Sequence, residues 1–183
     1  MLFLERIKRT DPRILENMKV HYSQPKGFVG RNICYAILWD NVYYGAIVGG
    51  SATLHLPGRN EYFNMIDNSK LNNIINNIFY HIEKVNNTYP IRNFTQLVLN
   101  NFCEIISNDW KKKYGDAVIG FESLIELPRS GEIYKRCGWD YVGITKGFTC
   151  KRIAGKGSDD WSGKRIWNTK ELKPKLVFVK RNI

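Results

Sequence analysis

Four elements of alternating type follow one another in the second half of the chain, and they constrain the fold more than any other stretch. Residues 109–114 end an amphipathic helix, and residues 117–121 form the continuous apolar run of a buried strand. Ser130 begins a short helix that Gly138 ends, and residues 141–144 predict a further strand. Such alternation with short connections predicts an α/β domain built on a central sheet.

The first fifty residues predict two strands that follow a strand and a helix. Residues 2–7 alternate as a strand does, and Asp11-Pro12 is a good helix start because Pro is favoured at the first helical position. That helix is expected to end near His21. Residues 33–39 and 42–49 are rich in aromatic and branched side chains, and the polar pair between them predicts a tight hairpin.

The middle of the chain predicts a strand, a turn and a long helix. Residues 78–85 alternate between two faces, and apolar residues then recur at spacings of three and four after a helix cap at Asn93 or Thr95. The free backbone N–H groups of such a helix start can hold an anionic ligand such as a pyrophosphate. Residues 175–180 predict the last strand, whereas residues 56–77 fit either a helix or a loop.

The positive charge is concentrated near the C-terminus. The 183 residues, expected to form one domain, carry a net charge of +11. Residues 151–183 hold ten Lys or Arg against three acidic residues, together with Trp161 and Trp167. Basic and aromatic side chains together can contact phosphates and stack on bases, so a segment of about residues 150–175 is predicted to face DNA. A solvated basic surface is the alternative.

Several classes of protein are excluded by what the sequence lacks. No apolar run approaches the roughly 18 to 20 residues that span a bilayer, and residues 1–8 are too charged for a signal peptide. The four cysteines, Cys34, Cys103, Cys137 and Cys150, show no C-x-x-C spacing, so reduced thiols and a cytoplasmic location are expected. His21, His55 and His81 do not have metal-ligand spacing, although a His-carboxylate site assembled in space stays open.

Three side chains are candidates for proton transfer. His21 follows the first helix, and an imidazole exchanges protons near neutral pH, although a histidine there can also simply interact with the helix dipole. Glu122 follows the strand predicted at residues 117–121, and catalytic groups gather at the carboxyl ends of strands, but it could merely pair with a lysine. Tyr134 could protonate a thiolate, because phenol and thiol pKa values are close, or it could be packing.

One arginine is a candidate for phosphate binding, and one motif resembles a phosphate-binding loop but lies in the wrong place. Arg92 lies on the turn before the long helix, where a cation reinforces the helix N-terminus, or it is an ordinary surface arginine. Arg152 begins an Arg-x-x-Gly-x-Gly segment that imitates a phosphate loop. No helical period follows that segment, so a DNA-facing basic loop is the better interpretation. A phosphate loop that binds coenzyme A is expected between a strand and the long helix, and the turn at that place lacks this motif.

Short motifs give the sequence a resemblance to the Mom family of phage DNA-modification proteins. They are His21-Tyr22-Ser23, Arg92-Asn93-x-Thr95, Gly131-x-x-Tyr134 and Gly138-Trp139, within a likeness that runs from about residue 15 to the C-terminus. The last two motifs, with Asp109-Trp110 and Tyr114-Gly115, also resemble the DruA-type domain of Druantia anti-phage systems. The element order is similar to that of GNAT acyltransferases, so the resemblance implies a GNAT-like α/β fold with a mixed central sheet flanked by helices.

The Mom-like resemblance implies a reaction and a set of roles. The activity would be a carbamoylmethyl or acyl-type modification of the exocyclic N6 amine of adenine in DNA, with an acyl-CoA or related donor. The implied catalytic residues are His21, Glu122 and Tyr134, and the implied donor-binding residues are Arg92, Asn93 and Thr95. The DNA-binding candidates are Tyr22, Arg31, Arg152, Lys156, Trp161, Lys164, Arg165 and Trp167. A DruA-like DNA-binding module and an ordinary GNAT N-acetyltransferase are the alternatives.

Overall fold

The computed structural model describes residues 1–147, 149–152, 165–168 and 173–182. The strands are β1 (Leu2–Ile7), β2 (Asn32–Trp39), β3 (Val42–Ser51), β4 (Ile74–Ile82), β5 (Gly120–Glu126), β6 (Asp140–Ile144), β7 (Thr149–Arg152), β8 (Arg165–Asn168) and β9 (Lys175–Arg181). The helices are α1 (Pro12–Val20), α2 (Pro57–Tyr62), α3 (Phe94–Tyr114) and α4 (Glu132–Arg136), with a 3-10 turn at Leu71–Asn73. No described helix has the length and apolar character that crossing a membrane requires.

Seven of the described strands form a mixed sheet in the order β1-β2-β3-β4-β5-β9-β6, and β7 and β8 form a separate hairpin. Strand β4 pairs with β5 in parallel, whereas the other described neighbours are antiparallel. The parallel pairing joins Ile74 to Gly120 and ends where Asn76 meets Glu122. Both strands continue past that point without pairing to each other, so the sheet splits there. The predicted α/β fold with a mixed sheet flanked by helices is confirmed.

Helices cover both faces of the sheet. Ile14 and Met18 of α1 are buried in one cluster with Val48 and Phe79. The apolar side chains of α3 lie in a different cluster, which includes Ile47 of β3 and the buried side chains of α4. Because successive side chains of a strand point to opposite faces, α1 and α3 lie on opposite sides of the sheet. Each apolar side chain buried in this way contributes about 1.5–3 kcal/mol.

The local signals in the N-terminal half produced the predicted elements. The Asp11 carboxylate accepts a hydrogen bond from the Arg13 N–H and caps α1, which ends at Val20 as predicted. Asp40 and Asn41 have φ values of 47° and 66°, which match the tight hairpin expected between β2 and β3. These predictions are confirmed.

The predicted bounds of β4 and β5 were wrong. Strand β4 begins at Ile74, not at residue 78, and β5 covers Gly120–Glu126, not residues 117–121. Glu122 therefore lies near the start of β5 and does not project from its carboxyl end. Polar residues obscured the start of β4, because Asn76 and Asn77, from the segment that fitted either a helix or a loop, are buried in the strand, and the Asn77 amide donates to the Val48 carbonyl.

The segment that the sequence left unassigned forms a cover over the C-terminal half of the sheet. Helix α2 is flanked by Leu56 and Phe63, which are buried in one cluster with Val177 and Val179 of β9. Phe178, the residue between them, lies in the other cluster, with α3 and α4. Helix α2 thus covers the face of this half-sheet that α3 and α4 leave open. Cys34, Cys103 and Cys137 are free thiols, as expected.

Candidate active site

A crevice of about 660 Å³ opens where β4 and β5 separate. Its walls come from the end of β4, the middle of β5, the loop after α1 and the start of α4. The polar and aromatic lining includes His21, Tyr22, Asn77, Tyr80, His81, Ser123, Arg129 and Tyr134. The structure therefore brings His21, Tyr22 and Tyr134, which are far apart in sequence, into one site.

The floor of the crevice is a hydrogen-bonded cluster centred on Asn77. The Tyr134 hydroxyl donates to Asn77 Oδ1 over 2.7 Å, and the Ser123 hydroxyl donates to the Asn77 carbonyl over 3.2 Å. The register of β4 against β3 shifts here, since Val48 faces Phe79 and Gly49 faces Asn77, which leaves Ile78 outside the pairing. A bulge of this kind frees a residue from the ladder, so the floor offers backbone polar groups as well as side chains.

Tyr134 is held rigidly on α4. Its ring stacks on Phe178 at 5.6 Å between centroids and meets Trp139 edge-on at 5.0 Å. Burial raises the pKa of Tyr134 well above its ordinary value, whereas the nearby Ser123 hydroxyl acts in the opposite direction. The phenol is therefore protonated at physiological pH and is a proton donor buried at the crevice floor. Trp139 is buried, as expected of a core residue.

His21 is buried at 7% exposure and anchors the loop after α1. Its Nδ1 accepts a hydrogen bond from the Ser23 N–H and lies 2.8 Å from the Ser23 hydroxyl, and its ring packs against Phe79 of β4 with 4.7 Å between the ring centroids. Burial, reinforced by the charges of His81 and Arg129, lowers the pKa of His21 to about 4. His21 is consequently neutral at physiological pH, with its Nδ1 engaged by Ser23.

His81 is a second histidine of the crevice, and the sequence analysis did not single it out. It lies on β4, with its ring centroid 5.8 Å from that of His21 and its Nε2 2.9 Å from Glu83 Oε1. A carboxylate at this distance can orient the ring, and an imidazole can act as a general base. In the sequence, His81 is marked only by its place in the two-face alternation predicted for residues 78–85. That pattern does not distinguish a catalytic side chain from a structural one.

Tyr22 and Arg129 form the mouth of the crevice. The guanidinium carbon of Arg129 lies 3.4 Å from the centroid of the Tyr22 ring, a close cation–π contact. Tyr22 was predicted to contact DNA, and it is partly exposed here at 40%. Arg129 was missed by the sequence analysis because nothing about a single arginine in a loop indicates which aromatic ring it will meet.

Glu122 lies outside the crevice. Its carboxylate pairs with the guanidinium of Arg59, and both side chains are fully buried. The Thr53 N–H also donates to Glu122 over 2.6 Å. Burial raises the pKa of Glu122, whereas Arg59 and Thr53 oppose that shift. These contacts give Glu122 a structural environment, because they tie α2 and the end of β3 to β5.

The predicted donor-binding residues lie at the start of α3. Asn93 occupies the cap position with a φ of 63°, and its side chain makes no capping hydrogen bond within the described chain. Arg92 is exposed beside it. The Tyr80 hydroxyl, which belongs to a crevice residue, donates to the Thr95 carbonyl over 2.6 Å. The uncapped helix start therefore adjoins the crevice and presents backbone N–H groups that can receive an anion.

The predicted DNA-binding residues fall in three places. Tyr22 is at the crevice mouth, and Arg31 pairs with Asp116 and stacks on Tyr114. Arg152 and Arg165 are register partners in the backbone pairing of the β7–β8 hairpin, which also includes Trp167. Lys156, Trp161 and Lys164 lie outside the described residues. In the part of the chain that is described, no group of three His, Cys, Asp or Glu residues could hold a metal ion.

No protein-family model matches the sequence, and a search of curated proteins finds no match. Solved acetyltransferase structures do match the fold. A GNAT family acetyltransferase from Elizabethkingia anophelis with acetyl-CoA bound has a TM-score of 0.56 at 9% identity, covering 99% of this chain and 98% of that one. A Bacillus subtilis acetyltransferase in complex with CoA has a TM-score of 0.56 at 12% identity, covering 100% of both chains. An IAA acetyltransferase from Bacillus cereus has a TM-score of 0.52 at 13% identity, again over 100% of both. The chain therefore has the fold of the GNAT acetyltransferases.

Proposed function

We propose that this protein is an N-acyltransferase that uses an acyl-CoA donor. The observation that carries the proposal is the hydrogen bond between Tyr134 and Asn77 at the floor of the split between β4 and β5. It places a protonated phenol inside a crevice that is bounded by unpaired strand edges. The matching folds include proteins solved with acetyl-CoA and with CoA.

The donor fits the crevice on the side of α3. The uncapped start of α3 offers backbone N–H groups for the pyrophosphate, and Arg92 adds a positive charge there. The bulge at Ile78 leaves backbone groups free to hydrogen-bond an extended chain that enters between the strands. The donor supplies an acyl group activated as a thioester.

Two groups of the crevice suit the proton transfers of this reaction. As the acceptor nitrogen bonds to the acyl carbon, the carbon–sulfur bond breaks, and Tyr134 gives its proton to the leaving sulfur. His81 takes the proton from the acceptor nitrogen, with Glu83 orienting its ring. His21 remains neutral, and its ring packs on Phe79 of β4, which holds the loop after α1 against that strand. The roles thus differ from the sequence prediction by adding His81 and leaving Glu122 to the core.

The proposed acceptor is the exocyclic N6 amine of adenine in DNA. Three observations support it: the Mom-like His21-Tyr22-Ser23 and Tyr134 line one crevice, Tyr22 exposes an aromatic ring at the mouth, and the chain carries a net charge of +11. An unpaired base could stack on such a ring, which would offset the few kcal/mol that unstacking costs. An ordinary N-acetyltransferase of protein or small amines would use the same donor side and the same proton donor.

Two measurements test the proposal. Thiol release from acetyl-CoA, followed with the purified protein and a panel of amines and adenine-containing oligonucleotides, tests acyl transfer. Mass spectrometry of nucleosides from DNA of cells that express the protein tests the acceptor, and a new deoxyadenosine mass is expected. Acceptor-dependent thiol release without a modified nucleoside would favour the ordinary N-acetyltransferase. Absence of acceptor-dependent thiol release, together with an inability to bind CoA, would contradict acyl transfer.

A further inference from the structure

Arg129 is a cation of the crevice for which the proposed transfer reaction has no use. Its side chain lines the crevice, yet it forms no ion pair with any carboxylate in the described parts of the chain. Its backbone N–H donates to the Glu126 carbonyl, which fixes the loop before α4. The guanidinium is therefore positioned, and within the described residues no carboxylate neutralises it.

The contact with Tyr22 defines how the guanidinium is presented. Arg129 lies over the Tyr22 ring at 3.4 Å, which engages a face of the guanidinium rather than its edge. The N–H donors of a guanidinium lie in its plane, so stacking leaves them free to form a bidentate contact with a carboxylate or phosphate. Tyr22 thus acts as a platform that reduces the freedom of a long side chain before a ligand arrives.

This pair lies on the acceptor side of the crevice. Tyr22 follows α1, and α1 packs on the sheet face opposite to α3. The helix start suited to the donor phosphates belongs to α3. A group that reaches Arg129 beside Tyr22 therefore comes from the α1 side and belongs to the molecule that receives the acyl group.

We propose that Arg129, held flat on Tyr22, binds an anionic group of the acceptor substrate, a carboxylate or a phosphate of the same molecule as the reacting amine. This inference rests on the proposed acyl transfer for the identity of the second substrate. It defines the acceptor class as an amine that carries a negative charge. A nucleotide phosphate and an amino-acid carboxylate share this chemistry.

Calorimetric titration of the CoA-bound protein tests the inference without turnover. The first ligand pair is deoxyadenosine 5′-monophosphate against deoxyadenosine, and the second is alanine against alaninamide. In at least one pair, the ligand with the anionic group is expected to bind about tenfold to a hundredfold more tightly than the ligand that lacks it. A charge-assisted hydrogen-bond pair would produce a difference of this size. The pair that shows the preference identifies phosphate or carboxylate as the recognised group.

Substitution assigns the preference to Arg129. Arg129→Gln is expected to abolish it, Arg129→Lys to retain part of it, and Arg136→Gln, an exposed arginine on α4, to leave it unchanged. Equal binding within both pairs by the wild-type protein, or an unchanged preference in Arg129→Gln, would overturn the inference. Thiol release from acetyl-CoA is measured separately, so a binding preference without acyl transfer would retain the role of Arg129 and reject the proposed reaction.

Discussion

The Tyr134 hydroxyl donates to Asn77 Oδ1 over 2.7 Å and so connects α4 to β4 across the point where β4 and β5 stop pairing. The bond fixes the position of the phenol hydroxyl, which is the group of Tyr134 that can donate a proton. Since Asn77 also donates to the backbone of β3 and β4, its amide is oriented with Oδ1 toward the phenol. The phenol is thus preorganised before any substrate enters.

Tyr134→Phe is expected to lower kcat for thiol release by about a hundredfold or more, because it removes the proton donor while keeping the ring. The KM for acetyl-CoA should change little, and circular dichroism should show a folded protein. Tyr141→Phe is the matched control, since Tyr141 is 52% exposed and lies beside the same Phe178 ring. A normal kcat in Tyr134→Phe would remove this residue from the reaction.

Substitution of either residue of the buried Arg59–Glu122 pair is expected to reduce stability rather than catalytic activity. Arg59→Met or Glu122→Leu alone should each reduce the free energy of unfolding by about 3–5 kcal/mol, because either leaves one uncompensated buried charge. The double variant should be more stable than either single variant. Urea unfolding measures all three. Glu122→Gln that keeps its stability but loses activity would restore the catalytic role that the sequence suggested.

His21 predicts that the protein loses stability in mild acid. The pKa of His21 is about 4 in the folded protein, below its ordinary value of 6.5, so the unfolded chain binds this proton more readily. The stability that comes from neutral His21 is fully present above about pH 6.5 and is lost as the pH falls toward 4. Between pH 7.5 and pH 5 the free energy of unfolding should fall by about 2 kcal/mol from this group alone.

His21→Asn tests this dependence, because asparagine does not titrate. Urea unfolding at the two pH values should show a smaller pH dependence in His21→Asn than in the wild-type protein. His55→Asn, at an exposed position, should keep the wild-type dependence. An identical pH dependence in wild type and His21→Asn would mean that His21 is not held neutral in the folded protein.

The elements that the sequence predicted correctly are those with strong local signals. The hairpin at Asp40-Asn41 needs two residues that tolerate positive φ, and α3 has a long apolar period with Gly115 at its end. Both depend on neighbours along the chain. Periodicity and turn chemistry were sufficient for them, and for the order of the other main elements, whereas α2 was left unassigned and β7 and β8 were not predicted.

What the sequence missed depends on contacts between distant segments. Arg59 was not singled out, and Glu122 was placed at the end of a strand, because only their mutual ion pair makes both tolerable in the interior. His81 and Arg129 were missed for the same reason. They became candidates only because the fold places His81 beside His21 and Arg129 over the ring of Tyr22. The Tyr134 candidate came from a motif, whereas its hydrogen bond to the partner on β4 is a property of the fold.

Arg92→Ala is expected to weaken donor binding without affecting the chemical step. Loss of one exposed cation beside the start of α3 should raise the KM for acetyl-CoA about fivefold, equivalent to roughly 1 kcal/mol, and leave kcat unchanged. Steady-state thiol release measures both constants. Arg9→Ala, an exposed arginine after β1, is the control and should leave both constants unchanged. An unaltered KM in Arg92→Ala would mean that the helix start binds the donor without this charge.

Gly131 couples the packing of α4 to the position of Tyr134. Gly131 caps α4 with a φ of 70°, and a Cβ at this position would overlap the Phe178 ring on which Tyr134 stacks. At Gly138, with a φ of 72°, an added Cβ would meet no atom of the described chain within 4 Å. The two glycines have nearly equal positive φ values, so comparing them separates the cost of an alanine at positive φ from the cost of the overlap with Phe178.

Gly131→Ala and Gly138→Ala should each lose about 1–2 kcal/mol, because alanine is strained in the left-handed region. Gly131→Ala should lose about 1–3 kcal/mol more, since the added methyl forces Phe178 or α4 to move. That movement displaces Tyr134, so kcat should fall in Gly131→Ala and stay near normal in Gly138→Ala at a temperature where both are folded. Thermal unfolding and thiol release measure the two effects. Equal losses of stability with equal kcat values would show that α4 adapts to the methyl group without moving the proton donor.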